Sequence, residues 1–111
     1  MTLKIFAFDI DGVICKTKGS DYNNSIPNKK VIYKINHLHD KGNKIIIFTA
    51  RFMGRTNNDY KKAYDLGYSF TLEQLKSWNV KFDKLFFGKP SFDMLIDDKA
   101  FNYSESWLTK I

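Results

Sequence analysis

The sequence predicts an α/β domain built on a mostly parallel central sheet, with no separate second domain. Three observations predict it. Short apolar runs alternate with segments of helical periodicity, the pattern of strands joined by helical crossovers. A chain of 111 residues suits one compact unit. No repeat, low-complexity tract or linker interrupts it. Residues 1–111 are therefore read as a single domain.

The elements follow in order. Residues 3–8 are apolar at nearly every position and predict a strand covered on both faces. A polar stretch over residues 12–24 carries Gly19, Asp21, Asn23 and Asn24; with its approach to Pro27 it forms a flap-like loop of residues 12–26. Pro27 and Asn28 open a helix in which Val31, Ile35 and Leu38 recur at helical spacing beside Ile32, with Gly42 as its stop. Residues 43–48 predict a second buried strand ending at Thr49. A polar helix is expected over residues 57–66, stopped by Gly67. Thr71 and Gln74 have capping-box spacing for a short helix through Trp78. Residues 82–87 predict a third strand, residues 93–96 a fourth ending at Asp97, and Ser104 is the cap of a final helix. One detail resists: five residues, 88–92, separate the third and fourth strands, whereas a parallel crossover takes about a dozen or more. The third strand is then either a short edge piece of unusual geometry or not parallel.

Composition narrows the setting. Lys and Arg outnumber Asp and Glu by 18 to 12, a net charge of +6, which favours anionic partners. Nucleic acid would satisfy that charge, but no dense basic cluster with interleaved aromatics indicates it. The single cysteine, Cys15, excludes an intrachain disulfide and a four-cysteine metal site. The N-terminus lacks the basic start and long apolar run of a secretory leader, and Ile45–Phe48 is far too short to span a bilayer. The expectation is a cytoplasmic protein with no membrane partner. A homo-oligomer is expected because a small aromatic-rich domain has surface to cover.

In an open parallel sheet, ligands bind beyond the carboxyl ends of the strands. The first predicted strand ends in Asp9 and Asp11, the second in Thr49 and Arg51. Lys89 follows the third, and the fourth ends in Asp97 and Asp98. Crowded carboxylates repel unless a cation joins them, and Mg²⁺ takes a few carboxylates together with a substrate phosphate. A carboxylate is a competent nucleophile toward phosphorus through an aspartyl-phosphate. A second carboxyl serves as acid and base, while a lysine and a hydroxyl hold the equatorial oxygens. The set therefore suits phosphoryl transfer.

The segment FDIDGVIC resembles the first motif of the haloacid dehalogenase (HAD) superfamily; FTAR, GKP and LIDD resemble its second, third and fourth, in the same order along nearly the whole chain. The wording of FTAR, GKP and LIDDKA is most similar to small phosphatase-like proteins of capsule and polysaccharide biosynthesis. The resemblance implies a three-layer, Rossmann-like HAD fold without a cap domain. It implies a Mg²⁺-dependent phosphomonoester hydrolase acting through an aspartyl-phosphate on a small phosphorylated metabolite such as a sugar phosphate. Its roles carry over residue by residue. Asp9 is the nucleophile and a metal ligand, and Asp11 the general acid/base with its carbonyl on the metal. Thr49 binds the transferring group, and Lys89 ties Asp9 to the phosphate. Asp97 binds Mg²⁺, supported by Asp98. Ile10, Gly12, Ala50 and Arg51 are the substrate-binding candidates. Val13 departs from the usual Thr after the first motif.

Competing readings remain. The same intermediate serves a phosphotransferase, and an uncapped site admits a macromolecular phosphate on a polysaccharide or a nucleic-acid end. A receiver domain also combines acidic residues, Mg²⁺, a hydroxyl and a Lys-Pro pair, but carries its phosphorylated Asp in mid-chain, where this chain ends a strand in Thr49. A non-catalytic binding module has no chemical reason to carry the full set. Asp9–Gly12 alone also reads as a turn, and Asp97-Asp98 as a cap. His37 and His39 suit a helix C-terminus. Cys15 reads as a small packing residue, the tryptophans as core or interface, and residues 57–62 as a solvated helix face.

Overall fold

In a computed structural model that describes residues 2–101 and 105–111, the chain opens on strand β1 (Ile5–Phe8) and turns through a small antiparallel pair, β2 (Cys15–Lys16) and β3 (Ile26–Pro27), joined by a 3-10 turn at Tyr22–Asn24. This pair is the flap-like loop. Helix α1 (Lys29–Asp40) follows, then β4 (Lys44–Phe48), helix α2 (Tyr60–Ser77), β5 (Lys84–Phe86) and a C-terminal 3-10 turn at Glu105–Thr109. The main sheet has the order β1-β4-β5 with both pairings parallel. Phe8 lies opposite Ile47, and Phe48 opposite Phe86, so all three strands end at one rim.

Helix α1 forms where its pattern places it. The Asn28 side chain accepts from the Val31 N–H at the first turn. Val31, Ile32, Ile35 and Leu38 turn inward, and Gly42 takes φ +97° beyond the end. Strand β4 buries Ile45 and Ile47. The C-terminal turn lays Trp107 against Phe8, ring centres 5.8 Å apart. The Ser104 cap lies outside the described residues.

Four expectations need correction. Strand β1 is not covered on both faces: Ile5 is 65% exposed and the strand forms an edge of the sheet. Gly67 does not stop a helix, and Thr71 does not start one; both are buried inside the continuous α2. A Cβ on Gly67 would stand 2.2 Å from the Phe52 ring, so this glycine is a docking notch for Phe52. Of the two alternatives left for the third strand, it is the short edge piece: three residues, parallel, at an edge of the described sheet. Residues 93–96 form no strand, and Met94, Leu95 and Ile96 are exposed. The physical reason is the short connection. After β5 the chain stays at the rim, where Lys89 N–H donates to Thr49 O and Ser91 N–H to Asn58 Oδ1, and what remains cannot cross back.

Strand β5 is tied to β4 before it begins. Asp83 N–H donates to Ile45 O at 2.9 Å, and the Asp83 carboxylate accepts from Ile45 N–H at 2.8 Å. That bond, reinforced by the positive field of His39 at 3.5 Å, holds the Asp83 carboxyl below its ordinary value of 3.8. A carboxyl depressed on folding contributes stability above its unfolded pKa and loses it as pH falls through the folded value. The urea midpoint is therefore expected to fall as pH drops below about 4, and Asp83→Ala to fall less steeply. Equal slopes in the two proteins would remove Asp83 as a source of acid sensitivity.

Candidate active site at the strand rim

The first turn of the site is wound around one carbonyl. Ile10 O accepts from the N–H groups of Val13, Ile14 and Cys15 at 3.1, 2.8 and 3.2 Å. Gly12 takes φ +88° inside that turn, a region costly for residues with a Cβ. Ile10 and Ile14 are buried anchors, which leaves Asp9 and Asp11 turned toward the rim. Asp9 Oδ1 accepts from Ile10 N–H at 2.8 Å, and Asp9 Oδ2 lies 3.3 Å from Lys89 Nζ. Lys89 is delivered by Gly88, whose φ is +96° and where a Cβ would stand 2.4 Å from the Tyr60 ring. Lys89 N–H then donates to Thr49 O. The Gly-Lys pair has a local reason: only glycine lets the backbone pass under Tyr60.

Asp11 is held differently. Arg51, 1% exposed, donates Nε to Asp11 Oδ2 at 3.0 Å and Nη2 to Oδ1 at 2.9 Å, a bidentate pair. Its Nη1 donates to Gln74 Oε1 at 2.6 Å, and its Cζ stands 4.6 Å from the Tyr22 ring centre. Gln74 Nε2 donates to Tyr22 O at 2.7 Å, and Thr17 Oγ1 to Asp11 Oδ1 at 2.6 Å. The expectation of Arg51 as a substrate contact is thus corrected: its guanidinium is enclosed and positions Asp11. Gln74, Tyr22 and Thr17 belong to this network; Tyr22 and Thr17 were not singled out from the sequence, and Gln74 only as a helix cap, because nothing local ties them to Asp11. Thr49 is fully buried, and its Oγ1 accepts from Arg51 N–H at 3.1 Å. Ala50 is half-buried and Gly12 exposed.

The carboxylates expected around Mg²⁺ are not gathered. Among the described residues no group of three or more His, Cys, Asp or Glu side chains is placed to hold a metal ion. Asp11 spends both oxygens on Arg51. Asp97 and Asp98 are exposed, and Asp97 Oδ1 accepts from Lys99 N–H. Asp9 remains on the rim with the Asp11 main chain, fewer donors than a hard divalent ion takes from protein and substrate together. The donor set that the described residues present does not fit Mg²⁺.

Cys15 is buried, and that burial pushes its thiol up from its ordinary value, which suits packing and not nucleophilic use. Beside the turn, an open groove of about 610 Å³ is lined by Gly12, Val13, Lys16, Ile26, Lys29 and Lys30. Three lysines around it favour an anionic occupant. Among the described residues no helix is long and apolar enough to cross a membrane.

No family model and no curated protein matches the chain. A crystal structure of a Vibrio cholerae protein does match, with a TM-score of 0.83 and 26% identity over 97% of this chain and 95% of that one. The described residues form a compact α/β domain with a parallel three-stranded sheet and two α-helices, and the chain is similar in fold to that protein over nearly its whole length.

Proposed function

We propose that this chain is a phosphomonoester hydrolase of the haloacid dehalogenase type, with the three-layer arrangement of that superfamily, acting on a small phosphorylated metabolite such as a sugar phosphate. The observation that carries the reading is the 3.3 Å approach of Lys89 Nζ to Asp9 Oδ2 at the rim where three parallel strands end. A free carboxylate there is a nucleophile, and the adjacent ammonium offsets the repulsion between it and an incoming phosphate. The +6 charge and the lysine-lined groove beside Gly12 point the same way.

In the first step an Asp9 oxygen bonds to phosphorus. The bond from phosphorus to the ester oxygen breaks, and that oxygen takes a proton from solvent at the open rim. In the second step water bonds to the phosphorus of the aspartyl-phosphate, its proton passes to a base, and the Asp9 carboxylate is released with inorganic phosphate. Lys89 faces the negative charge in both steps. Asp11 accepts hydrogen bonds on both oxygens, and a proton on it would have to displace a donor, so the proton released from the attacking water passes to solvent at the open rim. The Mg²⁺ expected from the resemblance enters neither step, since the described residues do not gather its donors.

Phosphate release from a panel of sugar phosphates, nucleoside monophosphates and a chromogenic phosphomonoester tests the reading, with Mg²⁺ and with a chelator. Turnover on one class is the expected outcome, and the chelator arm reads whether that turnover needs a divalent cation. No release from any member with Mg²⁺ present would sink it.

A further inference from the structure

Positive charge near the rim stands in two separate places. At Asp9 the ammonium of Lys89 lies 3.3 Å from Oδ2, while Arg51 is engaged by Asp11 and Gln74. The larger concentration is in the groove of about 610 Å³, whose walls include Lys16, Lys29 and Lys30 and no Asp or Glu. All three lysines are exposed, and none forms an ion pair with a described residue. Asp9, Thr49 and Lys89 are not among the walls, so the groove is a second place and not an enlargement of the first. The two meet at the turn. Gly12 lines the groove and follows Asp9 by three residues, a span of at most about 11 Å.

Folding does not account for these charges. Lys29 and Lys30 stand in the first turn of α1, which holds no acidic residue, and positive charge there opposes the helix dipole. Lys16 lies opposite Ile26 in the β2–β3 pair, so both side chains leave the flap on one face, and both line the groove. Three like charges around one concavity repel one another until an anion enters. Ile26, 66% exposed, and Pro27 add an apolar wall, which suits a ligand with a carbon skeleton beside its charge. The volume is that of a small-molecule site.

We propose that the substrate is a bisphosphate: Asp9 and Lys89 meet the phosphate that reacts, while Lys16, Lys29 and Lys30 hold a second phosphate on the leaving group. The inference rests on the phosphatase reading for the first phosphate and narrows its substrate class, a sugar bisphosphate being the simplest member. Binding at the rim raises the effective concentration of the second phosphate at the groove, so the two contacts reinforce each other.

Titration calorimetry on the Asp9→Asn chain tests this without turnover. Hexose bisphosphates and nucleoside bisphosphates are set against the matching monophosphates. At least one bisphosphate is expected to bind about ten-fold or more tightly than its monophosphate, and Lys16→Gln/Lys29→Gln/Lys30→Gln in the same background should bring that ratio close to one. Equal binding within every pair, or a preference that the three glutamines leave intact, overturns the proposal. So does an equal gain when inorganic phosphate is added beside the monophosphate, because the groove would then take a separate anion. Turnover separates this inference from the reading beneath it. Wild-type hydrolysis of monophosphates with no preference for any bisphosphate removes the second phosphate and leaves Asp9 chemistry standing. A lysine-dependent bisphosphate preference in a chain that hydrolyses nothing supports the groove and overturns the phosphatase reading instead.

Discussion

Replacing Asp9 by Asn is expected to lower phosphate release by about a thousand-fold or more, the scale seen when a covalent nucleophile is removed, while the melting temperature barely moves. The amide oxygen still accepts from Ile10 N–H, as Oδ1 does at 2.8 Å, so the turn survives. What disappears is the anionic oxygen facing Lys89 at 3.3 Å. That ion pair is partly solvent-exposed on both sides, and such pairs contribute about 1 kcal/mol or less to stability. Initial rates on the best substrate of the panel, set beside a thermal melt, make the comparison. A variant retaining near-normal turnover would move the nucleophile off Asp9, and with it the aspartyl-phosphate.

The second large effect concerns stability. Arg51→Met should destabilise the fold by about 3 kcal/mol, because it strands Asp11 without its cation in a largely enclosed setting. For a domain of this size that corresponds to a fall in melting temperature of roughly 10–20 °C. Arg51→Lys should recover only part of it, since an ammonium cannot reproduce the fork that meets both Asp11 oxygens, Gln74 and the Tyr22 ring. Adding Asp11→Leu to Arg51→Met should return much of the loss by removing the orphaned charge. Urea denaturation of the four proteins checks this. A loss under about 1 kcal/mol in Arg51→Met would show that solvent compensates Asp11.

How much of this was legible beforehand depended on whether the cause was local. Helix α1 was readable because its cap, its inward face and its terminating glycine all lie within residues 28–42. The place of Asp9 at the rim was readable because it follows an apolar strand directly, whereas that of Lys89 was not, because the short connection after the third strand left its direction open until the parallel register was seen. Helix α2 was misread because Gly67 looks like a stop, yet serves a ring fifteen residues earlier in the chain. The strand at 93–96 was misread because its apolar pattern is genuine, while the short connection before it forbids the expected partner. The Arg51 network stayed invisible since Thr17, Tyr22 and Gln74 carry no spacing that links them to Asp11.

That network also bears on how the protein comes to exist. Its bonds join Asp11 to Arg51, 40 residues apart, and Tyr22 to Gln74, 52 apart. Contacts so distant along the chain form only after large loops have closed, a cost in chain entropy met before any gain. Asp11 therefore cannot be set in place by the N-terminal segment alone. It waits for β4 and α2 to arrive, so the rim is completed together with the whole domain and has no half-built form.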